Sequence, residues 1–319
     1  MKNLQHNIVL TITGSDSIGE SGVQADLRTF YRIGCQSVSA ITCVTVQNTL
    51  GIQQFYDLPT DIVEAQIDAI MNDVEPAVVK IGMVRSADMV DAIAHSLLQY
   101  RPAWVIYHPV LTSSHGERLM SADVLARIRH TLLPLCSLIV VKQSEAQLLF
   151  GENSFSLDRV HIIDDRQPLL HGESNYLSAA VAAYLCTGSN MHDAISKAGQ
   201  FVQRLPLKTG RMQGRADELY NAFITQLKAN VTGHSDVMFY ADVLNVSTRY
   251  LAQVTRKVSG KSPKALIDSL LLQRIEQLLT TTTDSIQQVA YSTGFNSQAH
   301  LARFFKKLTG TTPGKFRKG

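Results

Sequence analysis

The first two hundred residues alternate between two apolar rhythms. Short runs of β-branched and aliphatic residues at 8–12, 37–46, 77–81, 104–107 and 137–141 have the length and composition of buried strands. Between them, apolar positions recur every three to four residues at 23–33, 61–71, 87–98, 122–132 and 176–185, the period of helices with one face against a core. This alternation predicts an α/β domain, a mostly parallel sheet covered by helices on both faces. Ligands of such sheets bind in the loops beyond the carboxyl ends of the strands.

After residue 205 only the helical period remains, and it is duplicated. Ser247, Leu251, Ala252, Lys257, Gly260 and Pro263 recur fifty positions later as Ser297, Leu301, Ala302, Lys307, Gly310 and Pro313. Each copy reads as a Ser-started helix closed by Gly and then Pro. The pattern turns Leu251, Val254 and Val258 inward, with Arg249, Gln253 and Arg256 outward. In the second copy Leu301, Phe304, Phe305 and Leu308 face in, while Gln298, Arg303 and Lys306 face out. A short helix and a tight turn precede each copy, giving helix-turn-helix twice. Residues 264–279 predict one rod of about 24 Å between the two, able to hold two reading heads roughly one DNA turn apart. Asp284 with Gln287 predicts a capping box for the helix after it. The change of rhythm divides the chain into domains at 1–205 and 216–319. The linker is 206–215, where Pro206, Gly210 and Gly214 interrupt the pattern.

Charge sharpens this division. From Pro206 onward there are 16 Lys or Arg against 7 Asp or Glu, +9, so the first 205 residues carry −6 within an overall +3. A basic tail is the electrostatic footprint of phosphate contact. No apolar run is long enough to span a bilayer, and residues 1–14 read as a strand rather than a signal peptide. Cys35, Cys43, Cys136 and Cys186 are scattered without metal-ligand spacing, as expected of core residues in a reducing cytoplasm. No metal and no cofactor is expected.

Residues 217–318 closely resemble the AraC-type transcription regulators, through Tyr240-Ala241-Asp242, Gly260-Lys261-Ser262-Pro263, Gly294-Phe295, Phe304-Phe305-Lys306-Lys307 and Pro313-Gly314-Lys315-Phe316-Arg317. The resemblance implies double-stranded DNA as a partner. It aligns Arg249, Gln253, Gln298, His300 and Arg303 with base-reading positions, and Lys306, Lys307 and Arg317 with phosphate contacts. For His300 a packing role beside Phe304 is an equal alternative. The bland alternative for the whole region is a helical bundle with solvated faces.

The loops after the first strands carry a second resemblance. Residues 14–27 (GSDSIGESGVQADL), Val46-Gln47-Asn48-Thr49 and Lys80-Ile81-Gly82-Met83 closely resemble hydroxymethylpyrimidine and hydroxymethylpyrimidine-phosphate kinases, of the ribokinase fold, over residues 8–205. The resemblance implies a pyrimidine held by Gly14, Asp26, Gln47, Met83 and Val110. Asp26 suits an exocyclic amine, Gln47 the ring nitrogens, and the two apolar side chains a flat ring. Taken singly, each is equally a helix cap, a strand end or core.

The phosphoryl-transfer end departs from that family. Its Gly-Thr-Gly-Cys loop stands here as Gly172-Glu173-Ser174-Asn175, so the family's base is an amide that cannot take a proton. The Asp of its Asp-Pro-Val block is His108, a Lys beyond it is Ser114, and the Asn of its Asn-x-x-Glu motif is Lys142, with Glu145 retained. The stretch 146–170 is too short for the segment that holds ATP, so the fold is truncated. His108 and Lys142 suit a phosphate held directly. The expectation is a regulator, not an enzyme, sensing a thiamine-pathway pyrimidine or its phosphate through a kinase-like domain without catalysis. A bifunctional pyrimidine kinase with a DNA-binding tail and a constitutive DNA-binding protein are the alternatives. Both resemblances imply a homodimer.

Overall fold

A computed structural model describes residues 7–112, 118–151, 157–165, 172–205 and 214–318. It divides into two compact units, Met1–Met212 and Gln213–Gly319. Most of the expected linker, residues 206–213, lies outside the described residues, as does Ser114.

The first unit is built on a seven-stranded sheet. Its strands are β1 (Ile8–Ser15), β2 (Gln36–Asn48), β3 (Gly51–Asp57), β4 (Val78–Ile81), β5 (Trp104–Tyr107), β6 (Leu138–Lys142) and β7 (Val160–Ile163). They lie in the order β3-β2-β1-β4-β5-β6-β7, and every neighbouring pair is parallel except β2 with β3. Helices cover both faces. Against one face pack α2 (Thr60–Asp73), α3 (Ala87–Tyr100), α4 (Ala122–Arg127) and α5 (Gln143–Phe150), over Leu10, Ile12, Val79, Ile81 and Tyr107. Against the other pack α1 (Gly22–Ile33), α6 (Glu173–Cys186) and α7 (Met191–Gln203), over Val9, Val78 and Ile106. Ala179, Ala180, Ala182 and Ala183 let α6 approach the sheet closely, and all four are fully buried.

Four elements escape the pattern reading, each for a local reason. β3 reads Gly-Ile-Gln-Gln-Phe-Tyr-Asp and forms a sheet edge, so it carries no apolar run. β7 is a four-residue strand at the opposite edge. α5 is short, and the pattern of α7 is diluted by small and polar residues. The helix expected over 122–132 is α-helical only to Arg127. A wide five-residue turn, Ile128–Leu132, follows and passes into a tighter one at Leu133–Leu135, where Pro134 offers no N–H to continue the ladder.

The second unit is entirely helical: α8 (Ala216–Asn230), α9 (Val237–Val243), α10 (Thr248–Ser259), α11 (Pro263–Thr281), α12 (Ile286–Ser292), α13 (Gln298–Thr309) and α14 (Pro313–Lys318). α11 has 19 residues, about 28 Å, and buries Ile267, Leu271, Ile275 and Leu279 along one stripe. Phe223, Tyr240, Leu251, Val289, Leu301 and Phe305 meet that stripe and form the core. The capping box sits one residue later than expected. Ser285 Oγ accepts from Gln288 N while Gln288 Oε1 accepts from Ser285 N.

Candidate functional sites

The carboxyl ends of β1, β2 and β4 are drawn together by three glycines. A Cβ on Gly22, whose φ is 60°, would stand 2.4 Å from Gly14 O; one on Gly82 would stand 2.1 Å from Thr13 Oγ1. At Gly14 it would meet Cys43 Sγ at 2.7 Å and Met83 Cε at 3.3 Å, so Gly14 and Met83 are neighbours. The loop between β1 and α1 is held by its own polar side chains. Asp16 accepts from Ile18 N, Ser21 N and Ser21 Oγ at 2.8–2.9 Å. Gln24 bridges Asp16 N and Ser15 Oγ. Ser17 Oγ donates to Thr45 O, and Thr45 Oγ1 donates to Ser15 O, which ties the loop to β2. Gln47 is partly exposed on β2, two residues beyond Thr45, and Val110 packs at the edge of the core that contains Met83.

Beneath these loops lies a buried polar floor, and it changes the role of Asp26. Strand alternation points Thr11 and Lys80 toward α1 and α6, the same side as Val9 and Val78. Both Lys80 and Asp26 are fully buried, with Lys80 Nζ 3.0 and 2.8 Å from the two carboxylate oxygens. Thr11 Oγ1 donates to Asp26 Oδ2 at 2.5 Å, and Asn175 Nδ2 donates to Oδ1 at 2.8 Å. Lys80 also donates to Asn175 Oδ1 at 3.2 Å. Each Asp26 oxygen thus accepts two hydrogen bonds from the protein, and neither is open to an exocyclic amine. Asp26 belongs to the scaffold under the site rather than to its lining.

His108 needs a similar correction. At 1% exposure its Nδ1 is 2.9 Å from Val140 O and its Nε2 is 3.1 Å from Ser174 Oγ. Burial first, then the charge of Lys80, pushes the imidazole down to about 3. A neutral ring that donates to Val140 and accepts from Ser174 satisfies both nitrogens, so His108 presents no cation to a phosphate. Lys142 is partly exposed at the end of β6, with Nζ 4.0 Å from Glu145 Oε2. Glu145 Oε1 accepts from Leu111 N, Thr112 N and Thr112 Oγ1 at 2.6–3.1 Å, while the buried Oε2 accepts no hydrogen bond.

The start of α6 closes this floor. Gly172 has φ 80°, and a Cβ there would lie 1.9 Å from Glu20 O, so the turn rests directly on the loop before α1. Ser174 and Asn175 both turn inward, to His108 and to the Asp26–Lys80 pair. Lys80, Thr11 and Ser174 were missed as site-forming residues. The available signal was a lysine inside the apolar strand Val-Val-Lys-Ile, since a cation there demands a carboxylate close by.

In the second unit the two turn-plus-helix pairs share one construction. Ser247 Oγ accepts from Tyr250 N and Ser297 Oγ from His300 N, while Gly260 and Gly310 close α10 and α13 in the left-handed conformation. The turns differ by one residue. Val246 N donates to Ala241 O and Phe295 N to Ala290 O, a spacing of forty-nine rather than fifty. Left-handed backbone falls on Asn245 in the first turn and Gly294 in the second, where a Cβ would meet Thr232 O at 2.3 Å.

Arg249, Gln298, His300, Arg303, Lys306 and Lys307 are exposed, and Gln253 is partly so. His300 packs edge-on to Phe295, ring centres 5.2 Å apart, and Phe304 packs on the same Phe295 ring, also at 5.2 Å. Val258 and Leu308, expected inside, are 38% and 42% exposed because the last turns of α10 and α13 overshoot the core. Arg317 is also reassigned. Its guanidinium donates to Leu279 O at 3.1 Å and Asp284 O at 2.5 Å, pinning α14 to the end of α11 instead of facing outward to phosphate.

The parallel sheet with its strand-end crevice, followed by the paired turn-and-helix unit, defines a ribokinase-like domain joined to an AraC-type helix-turn-helix domain. A phosphomethylpyrimidine kinase family model matches residues 16–167, and a helix-turn-helix domain model matches residues 240–319. The hydroxymethylpyrimidine/phosphomethylpyrimidine kinase of Salmonella typhimurium LT2 is 35% identical over 193 residues, covering 60% of this chain and 70% of the relative. The chain belongs to this kinase family. The kinase of the same description from Staphylococcus aureus Mu50 is 35% identical over 148 residues, 46% of this chain, and the chain spans only 54% of that relative's length. Among solved structures, the phosphomethylpyrimidine kinase from Clostridium difficile 630 superposes with a TM-score of 0.56 at 29% identity, covering 61% of this chain and 97% of that one. The helix-turn-helix domain supports DNA binding, and no helix among the described residues is long and apolar enough to cross a membrane.

Proposed function

We propose that this protein is a transcription regulator whose kinase-like domain senses hydroxymethylpyrimidine or its phosphate without phosphorylating it. The observation that carries the reading is Asn175. It occupies the place of the family's base, its amide has no proton-accepting nitrogen, and both ends are bonded to Asp26 and Lys80. Around it the ring-binding edge is kept: Gly14 beside Met83, Gln47 on β2 and Val110 at the core margin. Of the two residues expected to hold a phosphate, His108 is neutral and buried, which leaves Lys142, and Glu145 already faces it. The pyrimidine ring is therefore the main determinant, and the free alcohol binds at least as tightly as the phosphate. DNA is engaged through Arg249, Gln253, Gln298, His300 and Arg303 on α10 and α13, with Lys306 and Lys307 on phosphate.

Isothermal titration of the full-length chain with hydroxymethylpyrimidine, its phosphate and ATP tests this reading. Expected are saturable binding of the pyrimidine without Mg²⁺, no pyrimidine-dependent ATP turnover, and a ligand-dependent change in affinity for DNA. One observation favours a second reading as a kinase with a DNA-binding tail: the buried Glu145 Oε2 accepts no hydrogen bond and could serve a cation. Turnover that disappears in Glu145→Ala would establish that second reading and overturn the first.

A further inference from the structure

Helices α1 and α6 lie side by side, both running from the site end of the sheet to its far edge, and they are tied at the site end. There Asn175 bonds Asp26, and Arg28 Nη2 donates to Tyr176 Oη at 3.1 Å. At the far end stand two cysteines. Cys35 follows Gly34, the left-handed cap of α1, and its amide donates back to Phe30 O at 2.9 Å. Cys186 is the last residue of α6. Cys35 Sγ donates to Ala183 O at 3.4 Å, one turn before Cys186 on the same helix, which places the two side chains at the same helix crossing. Both side chains belong to the same apolar core, at 7% and 2% exposure.

We propose that Cys35 and Cys186 form a reversible disulfide that staples the far ends of α1 and α6, with hydrogen peroxide as the oxidant. This inference stands apart from the proposed ligand and from DNA binding. Cys35 attacks first. The Cys186 side chain beside it holds Cys35 below the ordinary thiol value against the opposing effect of burial, while Cys186 is pushed up. The Cys35 thiolate attacks one peroxide oxygen and breaks the O–O bond. The departing hydroxide takes up a proton and leaves as water, and Cys35 becomes a sulfenic acid. Cys186 then loses its proton and attacks Cys35 Sγ, forming the S–S bond and expelling the second oxygen as water. Two thiols lose two electrons in all, and one peroxide becomes two waters. Cys43 and Cys136 take no part, since burial raises both thiols and neither contacts another cysteine among the described residues.

The test uses the full-length reduced chain, treated with hydrogen peroxide, quenched, unfolded, alkylated and digested for mass spectrometry. The expected product joins the Cys35 and Cys186 peptides, is lost with dithiothreitol, and leaves Cys43 and Cys136 alkylated. The thermal midpoint of the first unit should rise by several degrees on oxidation and fall back on reduction. Cys186→Ser should stop at the sulfenic acid, trapped at Cys35 by dimedone. Full alkylation of Cys35 and Cys186 after peroxide, a sulfinic acid at Cys35 in the unmutated chain, or a bridge to another cysteine would each overturn the proposal. The peptide mapping decides the matter even if Cys186→Ser fails to fold.

Discussion

Lys80→Met removes a cation that is fully buried against an equally buried carboxylate, and the local geometry sets the size of the effect. Asp26 keeps Thr11 at 2.5 Å and Asn175 at 2.8 Å but loses both contacts to Lys80, at 2.8 and 3.0 Å, with no water-exposed route for its charge. Breaking a buried pair by removing one partner costs about 3–5 kcal/mol, because the remaining charge is uncompensated. Asp26→Leu alone strands Lys80, whose remaining partner is Asn175, at similar cost. The double variant buries neither charge, and its loss should be at least about 2 kcal/mol smaller than the sum of the singles. Trp104 is the only tryptophan and lies on β5 against the second core, so its fluorescence during urea unfolding reports on the first unit alone. The midpoint should fall with the slope unchanged. A loss below about 1 kcal/mol for Lys80→Met, or additive losses in the double variant, would refute the scaffold role of this pair.

Three further outcomes follow from the same geometry. His108 titrates at about 3 when folded and near 6.5 when unfolded, so the unfolded state binds the extra proton first. The first unit should lose about 1.6 kcal/mol of stability between pH 6.5 and pH 5, and His108→Gln should flatten that slope in urea titrations. Arg317→Ala should destabilise the second unit by about 1.5–3 kcal/mol, measured by circular dichroism, since two charge-assisted bonds to Leu279 and Asp284 are lost; equal stability with weaker DNA binding would restore a phosphate role. Arg249→Ala and Arg303→Ala should each cost about 1–3 kcal/mol on a specific site and far less on random DNA, and an equal loss on both sequences would exclude base reading.

Periodicity and punctuation were enough to determine most of the elements and their kinds. A buried parallel strand must be almost wholly apolar, a helix must carry its stripe every three to four residues, and Ser247, Gly260, Ser297 and Gly310 are the residue types that helix ends demand. These are local requirements, so they are legible along the chain. β3 and β7 were not, because edge strands need no continuous apolar run. The capping box was displaced from Asp284 to Ser285 because that choice depends on one residue of helix phase. The two family resemblances suggested that Asp26 held a ligand and that Arg317 faced DNA phosphate, and residue type suggested that His108 was a cation. Only the tertiary structure brought Lys80, Thr11 and Asn175 around Asp26, closed Val140 and Ser174 around His108, and put Leu279 and Asp284 within reach of Arg317. A polar side chain's role is decided by the partners that desolvate and bond it, and those partners come from distant parts of the sequence.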